Sequence, residues 1–411
     1  MNRLAVQYLE NGPGIAAIAP DEARSRLRAA FDLLPISHVL LGWNLPPALV
    51  AACREETIRR GAQLFRWHPL LTGDGTFVPR TEWRTVGLDG DPVPGYRGMP
   101  EFTFVCPNRP TAREAVLDHL CDVVRRGDYQ GVFLDRIRYP SPIPDLDCML
   151  ACFCDDCHRA AVAEGLDLAL ARRHIQALLE TPERVPAFVR ALLDPLVPGA
   201  SELESDPDVA VFRTFLEFRA RSVTRLVQAA AGLVHGERLG LGLDCFSPAL
   251  SHMVGQSLGA LAPHCEWIKI MSYGHTLGPA GLPFELLGLA DWLVTRCAAS
   301  EPEALAWLSA ATRLPLPSTR AVLREEGLAP DALAAEVRRG RADGASTLLA
   351  GIELVEIEGV TNLNRAQIVA DLDAFRAAGA DGLVLSWDLW HIPPERLGLV
   401  RGITDQSCRY G

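Results

Sequence analysis

The chain is 411 residues long, 48% apolar, and carries a formal net charge of −11. That apolar content excludes a disordered chain, and the acidic balance argues against the basic face that nucleic acid or an anionic lipid surface requires. No stretch approaches the ~20 apolar residues of a membrane span.

At the N-terminus, Glu10 and Asn11 stand where a secretory signal needs its apolar core, so no export is expected. The eleven cysteines are then thiols of a cytoplasmic protein rather than a disulfide framework. In chain order, helical spacing over 21–34 precedes a strand at 38–43. A helix at 47–60 leads to a second strand at 63–68. Residues 70–100, rich in Gly, Pro and Asp, read as an excursion, and 102–106 as the third strand. A helix over 111–126 leads to the fourth strand, Gly131-Val132-Phe133-Leu134-Asp135. From 141 to 236 no strong strand occurs; the segment reads as a helical insertion plus the fourth barrel helix. Strands at 239–244, 267–271, 347–356 and 382–388 complete the set, with helical stretches at 284–343 and 365–378.

Eight short apolar runs alternating with helices predict a parallel sheet, and eight units in 1–411 favour one closed (β/α)8 TIM barrel of the α/β class. No Gly-rich turn follows the first strand, which removes the main support for a dinucleotide fold.

In such a barrel the chemistry sits at the C-terminal ends of the strands. Asp135 ends an apolar strand and is the first candidate. Glycoside cleavage needs a second carboxyl group, about 5–5.5 Å away for retention and about 6.5–9.5 Å for inversion. Glu353 or Glu356 on strand seven is the natural partner, with Asp244 and Asp388 in reserve. Glu353 and Glu356 lie three apart and point to opposite faces of a strand, which favours Glu353. The other strand-end residues, Trp43, Arg66, His68, Asn108, Arg138, Tyr139, Lys269, Tyr273, His275, Trp387 and Trp390, make a rim suited to a sugar. Indole faces stack on sugar rings while charged groups bind hydroxyls. Structural ion pairs with Arg66, Arg136, Arg138 or Lys269 are the competing use of any one carboxylate. Residues 274–281 read as a substrate loop, since they lack the Lys-Ser/Thr ending of a phosphate loop.

Cys152, Cys154 and Cys157 supply three metal ligands within six residues. Cys148, His158 or Cys106 is the fourth, and a closed four-ligand site is a structural zinc.

The C-x-C-x-x-C stretch together with Cys106 resembles the zinc site of the glycoside hydrolase family 42 β-galactosidases, which implies Cys106 as the fourth ligand. Gly131 to Pro140 resembles the G-x-x-x-D-x-[IV]-R-[YF]-P strand of uncharacterised glycoside-hydrolase-like barrels, which implies that Asp135 is catalytic. Strand four ends Leu134-Asp135 where family 42 has Asn-Glu, so neither its acid/base role nor β-galactosidase activity transfers. Asp135 then becomes a candidate nucleophile, with Glu353 or Asp244 as the acid. The expected activity is cleavage of a small oligosaccharide or glycoside, with homo-oligomerisation left open. The alternatives are a non-catalytic carbohydrate-binding barrel and a metal-dependent hydrolase using His68, Asp135, Asp244 and His275. The absence of an H-x-H or H-E-x-x-H motif weighs against the last.

Overall fold

The computed structural model describes residues 3–10, 14–141, 146–193, 206–361 and 363–407. Eight parallel strands close into a barrel in chain order. They are β1 (Arg3–Tyr8), β2 (His38–Leu41), β3 (Gln63–Pro69), β4 (Gly131–Asp135), β5 (Gly240–Phe246), β6 (Trp267–Met271), β7 (Leu348–Glu353) and β8 (Gly382–Ser386). The expected (β/α)8 barrel is the fold, but its roster of strands differs from the expected one at two places.

Arg3–Tyr8 is the first strand, closing the barrel between β2 and β8 through Ala5↔His38 and Ala5↔Val384. Sequence reasoning passes over it because a strand buried on both faces shows no polar alternation. Residues 102–106, expected as a barrel strand, stay outside the sheet. Pro100–Phe102 is a 3-10 turn, and Val105 makes only an isolated antiparallel bridge to Arg84. Phe104, Val105 and Cys106 are buried beneath the excursion that follows β3. A short apolar run reports burial without saying against what. One strand missed and one added leave Asp135 on the fourth strand in both accounts.

Helices Pro20–Leu33, Pro47–Arg59, Pro110–Arg125, Pro330–Ala342, Arg365–Ala377 and Pro394–Ser407 surround the barrel. Between β4 and β5 the chain forms Asp155–Ala163, Leu168–Glu180 and Val185–Leu193 before the long helix Pro207–Gly236. That helix starts where Asp206 accepts from the Asp208 amide at 2.9 Å and Pro207 takes the first helical position. No helix among the described residues is long and apolar enough to cross a membrane.

Ala5, Leu40, Phe65, Trp67, Phe133, Trp267, Leu349 and Val384 fill the barrel interior. Large rings fit because a glycine faces them: a Cβ on Gly242 would lie 2.3 Å from the Trp267 ring, which stacks on Phe133 at 5.1 Å. The interior is therefore packed, and the mouth at the strand C-termini is where chemistry can occur. Alternation along each strand carries Gln7, Trp67, Asp135, Asp244, Lys269, Glu353 and Ser386 to the inner side of that mouth. It turns Arg66 and His68 toward the helices.

Candidate active site

Asp135 is fixed by donors from two directions. Trp67, inward on β3, donates from Nε1 to Oδ2 at 3.0 Å, and the Arg136 amide donates to Oδ1 at 2.5 Å. Arg136 holds a left-handed backbone, φ 54°, which costs a non-glycine residue about 1–3 kcal/mol. Its side chain is anchored in return. Nη1 donates to the Glu101 carbonyl at 2.7 Å and to Thr72 Oγ1 at 3.3 Å, and the guanidinium lies over Trp43 and Phe102 at 5.1 and 4.8 Å. Glu10 Oε1, just past β1, is 3.7 Å from the same guanidinium. Arg136 thus gathers the loops after β1, β2 and β3 around Asp135.

Asp244 extends β5 one residue past the Leu134↔Leu243 pair, so its inward side chain stands beside Asp135. Burial pushes its pKa up to about 8; the Lys269 charge pulls the other way and the Asp135 charge adds to the rise. Lys269 is fully buried and donates to Asp244 Oδ2 at 2.9 Å, Gln7 Oε1 at 3.2 Å and the Tyr273 hydroxyl at 2.6 Å. It reaches there because β7 offers a glycine: a Cβ on Gly351 would sit 2.6 Å from Lys269 Cε. Asp244 Oδ1 and Trp43 Nε1 are buried and have no protein partner. Two buried polar atoms at this mouth are therefore free for a ligand's hydroxyl groups.

Glu353 ends β7, and its Oε1 accepts from the His275 amide at 2.9 Å. Burial pushes its pKa up to about 7, against the His275 charge. Tyr273, whose ring meets Trp387 edge-on at 6.4 Å, joins the set. Its phenol is raised by burial and then by the charges of Asp244, Glu353 and Asp135. Carboxylates from β4, β5 and β7 thus converge around one tyrosine, and burial raises both Asp244 and Glu353.

Other expected rim residues lie elsewhere. Arg66 turns outward, donating to the Gly42 carbonyl at 2.5 Å and to Asp74 Oδ2 at 3.2 Å. His68, also outward, groups with His119 and Asp74. Asp74 there already accepts from His119, Arg66, Thr76 and Phe77, so the group is a strut beneath the excursion. His275 is locked between the Glu326 carbonyl and Asp371, at 2.9 and 3.1 Å. Burial opposes its charge, but the Asp371 hydrogen bond and charge outweigh it and raise the pKa. With both histidines turned away, His68, Asp135, Asp244 and His275 do not gather into one ligand set among the described residues.

Asp388 is structural: it accepts from the amides of Leu9, Glu10 and Trp390 at 2.8, 3.0 and 2.9 Å, tying the end of β8 to β1. Glu356 lies beyond the end of β7 with its side chain 67% exposed, and shares an outer cleft with Trp390 and Arg26. Arg138 is buried between Phe104 and Phe246, 4.5 Å from each ring. Tyr139 packs under Arg219, and Asn108 donates to Ser222 Oγ and Cys157 Sγ. Lys269 is in the site, but its three hydrogen bonds make it the support of Asp244 rather than a ligand contact. Trp43, at a right angle to Trp67 and 5.0 Å from it, and Trp387 remain at the mouth. Sequence reasoning gives no site role to Gln7, Glu10, Trp67 or Ser386 and names Arg136 only as an ion-pair partner. The inward alternation from Phe65 points to Trp67; the first two require recognising β1.

Cys106, Cys152, Cys154 and Cys157 are buried with their sulfurs all within 4.8 Å of one another. Cys106 is 3.3 Å from Cys157 and 3.6 Å from Cys154. Zn–S bonds of about 2.3 Å in a tetrahedron imply sulfurs about 3.8 Å apart, so the spacing fits. Donors also face the sulfurs: the Val86 amide at 3.3 Å from Cys152 and Asn108 Nδ2 at 3.4 Å from Cys157. Cys148 has no described side chain.

No protein-family model matches the sequence, and no curated protein matches it significantly. Among solved structures, the chain is similar to the PgaB (BpsB) glycoside hydrolase domain from Bordetella bronchiseptica, with TM-score 0.53, 13% identity and 98% of each chain covered. It is also similar to alpha-L-fucosidase isoenzyme 2 from Paenibacillus thiaminolyticus, with TM-score 0.56 and 12% identity. That match covers 100% of this chain but half of the fucosidase. The chain shares the (β/α)8 barrel fold of these structures. At such identities the likeness is one of fold alone, and the residues carry any further step.

Proposed function

We propose that the protein is a glycoside hydrolase whose working pair is Asp135 and Asp244. The observation that carries this reading is their contrast. Asp135 has both oxygens held by donors, while its neighbour Asp244 is pushed up to about 8 and keeps one oxygen free. In the first step the proton on Asp244 passes to the glycosidic oxygen as the C–O bond breaks. Asp135 forms a bond to the anomeric carbon. Water then attacks that carbon, giving its proton back to Asp244 and releasing Asp135 as carboxylate. Adjacent strands lie about 4.8 Å apart, a spacing that favours the retaining geometry. Glu353 is the reserve acid, and Trp387 supplies a ring face for a sugar.

The four cysteines suit a structural zinc, which would brace the insertion against the excursion and leave no open position for chemistry. Reduced thiols and such a site suit the cytoplasm. A panel of nitrophenyl glycosides, with the product anomer followed by NMR, tests the proposal: turnover should proceed with retention and collapse in Asp135→Asn. A non-catalytic carbohydrate-binding barrel is the second reading, favoured by the depth of the carboxylates, with Asp135 only 7% exposed. It requires no turnover by the wild type and sugar binding that survives Asp135→Asn.

A further inference from the structure

Arg219 lies on the long helix Pro207–Gly236 and is fully buried, 0% exposed. Among the described residues it has no carboxylate partner. Nη1 donates to the Met253 carbonyl at 2.7 Å, Nη2 to the Met149 carbonyl at 3.1 Å, and Nε has no partner. The guanidinium lies 4.7 Å from the Tyr139 ring and 5.7 Å from the Phe215 ring. Carbonyl dipoles and ring faces soften the loss of water but supply no opposite charge, and an uncompensated buried cation is costly.

The neighbouring groups set the guanidinium against the sulfur cluster. Phe215, whose ring it faces, stacks on Phe153 of the C-x-C-x-x-C stretch with centroids 4.9 Å apart, and Ser222 on the same helix accepts from Asn108 Nδ2, which also faces Cys157 Sγ. The Tyr139 hydroxyl, on the ring that faces the guanidinium, is buried without a partner. Through Met149 the guanidinium also holds the chain three residues before Cys152. Four neutral thiols would give it nothing. Four thiolates around a divalent ion carry a net charge of about −2, since zinc binds cysteine as thiolate.

We propose that Arg219 is the buried counter-charge of an anionic tetrathiolate metal centre formed by Cys106, Cys152, Cys154 and Cys157. The proposal rests on the structural-zinc reading above. Metal loading and the seating of the insertion on the barrel are then one event: without the ion the guanidinium is buried unpaired, and with it the two charges offset each other.

The test uses the full chain, loaded with zinc and stripped by chelator, as wild type, Arg219→Met and Arg219→Lys. Arg219→Met should lower the denaturation midpoint of the zinc form and leave the stripped form unchanged or raised, because it removes an unpaired buried cation. Zinc affinity, measured against a competing chelator, should fall about tenfold or more. The sulfur-to-cobalt charge-transfer bands of the cobalt-loaded protein should shift, and Arg219→Lys should restore most of each effect. Equal losses in loaded and stripped protein, with unchanged cobalt bands, would overturn the role of Arg219 and leave the metal site standing. Wild type that takes up neither zinc nor cobalt stoichiometrically would overturn both. If Arg219→Met does not fold, Arg219→Gln carries the same comparison, and if the stripped protein does not fold, zinc affinity and the cobalt bands decide.

Discussion

Asp135 and Asp244 stand side by side one position beyond the Leu134–Leu243 pair of β4 and β5, and the charge of the first helps keep the second protonated. Neither is placed for its work by its own strand alone. Trp67 and Arg136 fix Asp135, and Lys269 fixes Asp244. Substituting Asp244→Asn should lower kcat about 10²–10⁴-fold on glycosides with poor leaving groups, the usual scale of general acid catalysis. Activated leaving groups should lose far less. Equal losses on both classes would move the acid role to Glu353.

Stability should fall as pH rises between about 5 and 8. Asp244 is raised to about 8, and Glu353 and Glu285, the latter buried on the helix Leu282–Arg296, to about 7, all by burial first. Over that interval the unfolded chain has released these protons and the native state retains them. Stability fully present below the unfolded pKa is therefore lost on passing the folded one, by up to ~1.4 kcal/mol per pH unit for each group. Urea unfolding at pH 5.5 and pH 8 should show the decline, and Asp244→Asn should flatten it. A flat or rising wild-type profile would contradict the assignment.

Gly351→Ala probes the support of Asp244 without touching either carboxylate. The new Cβ would meet Lys269 Cε at 2.6 Å and the Ile270 carbonyl at 2.9 Å. Overpacking of this kind costs about 1–3 kcal/mol. Displacing the ammonium also removes what pulls the Asp244 pKa down, so the alkaline limb of the pH–rate profile should move upward.

His275→Phe separates a sugar contact from a buried strut. Its ring is held by Glu326 and Asp371, and removing it leaves the Asp371 carboxylate buried and unpaired. A loss of about 3–5 kcal/mol is expected. The His275 amide that holds Glu353 survives the change, so KM should stay close to wild type. A raised KM at normal stability would return the ring to the substrate site.

Removing the metal should act on stability before activity. As isolated, the chain should hold one zinc, absent in Cys157→Ser and after chelation. Melting should then begin in the excursion and the 146–236 insertion, read by hydrogen exchange. Turnover that stops at once on chelation with the fold intact would argue against a closed structural site.

How far the sequence reaches is clearest at its aspartates. Asp135, Asp244 and Asp388 each follow a short apolar run, and in sequence they are of one kind. The tertiary structure gives Asp388 three backbone amides, Asp244 a buried lysine and one free oxygen, and Asp135 a tryptophan and a strained arginine amide. Donors decide what a carboxylate does, and they come from strands far apart in the chain. The same limit applies to Arg66, His68 and His275, whose side chains point away from the mouth. Hydrophobic periodicity by itself determined the barrel, because eight buried strands need eight apolar runs, and it put Asp135 at a strand end. The spacing of Cys152, Cys154 and Cys157 likewise needed no fold to be read. Which run closes the barrel, residues 3–8 rather than 102–106, was decided only by the folded chain. Both segments are apolar enough to be buried, and burial carries no record of the partner.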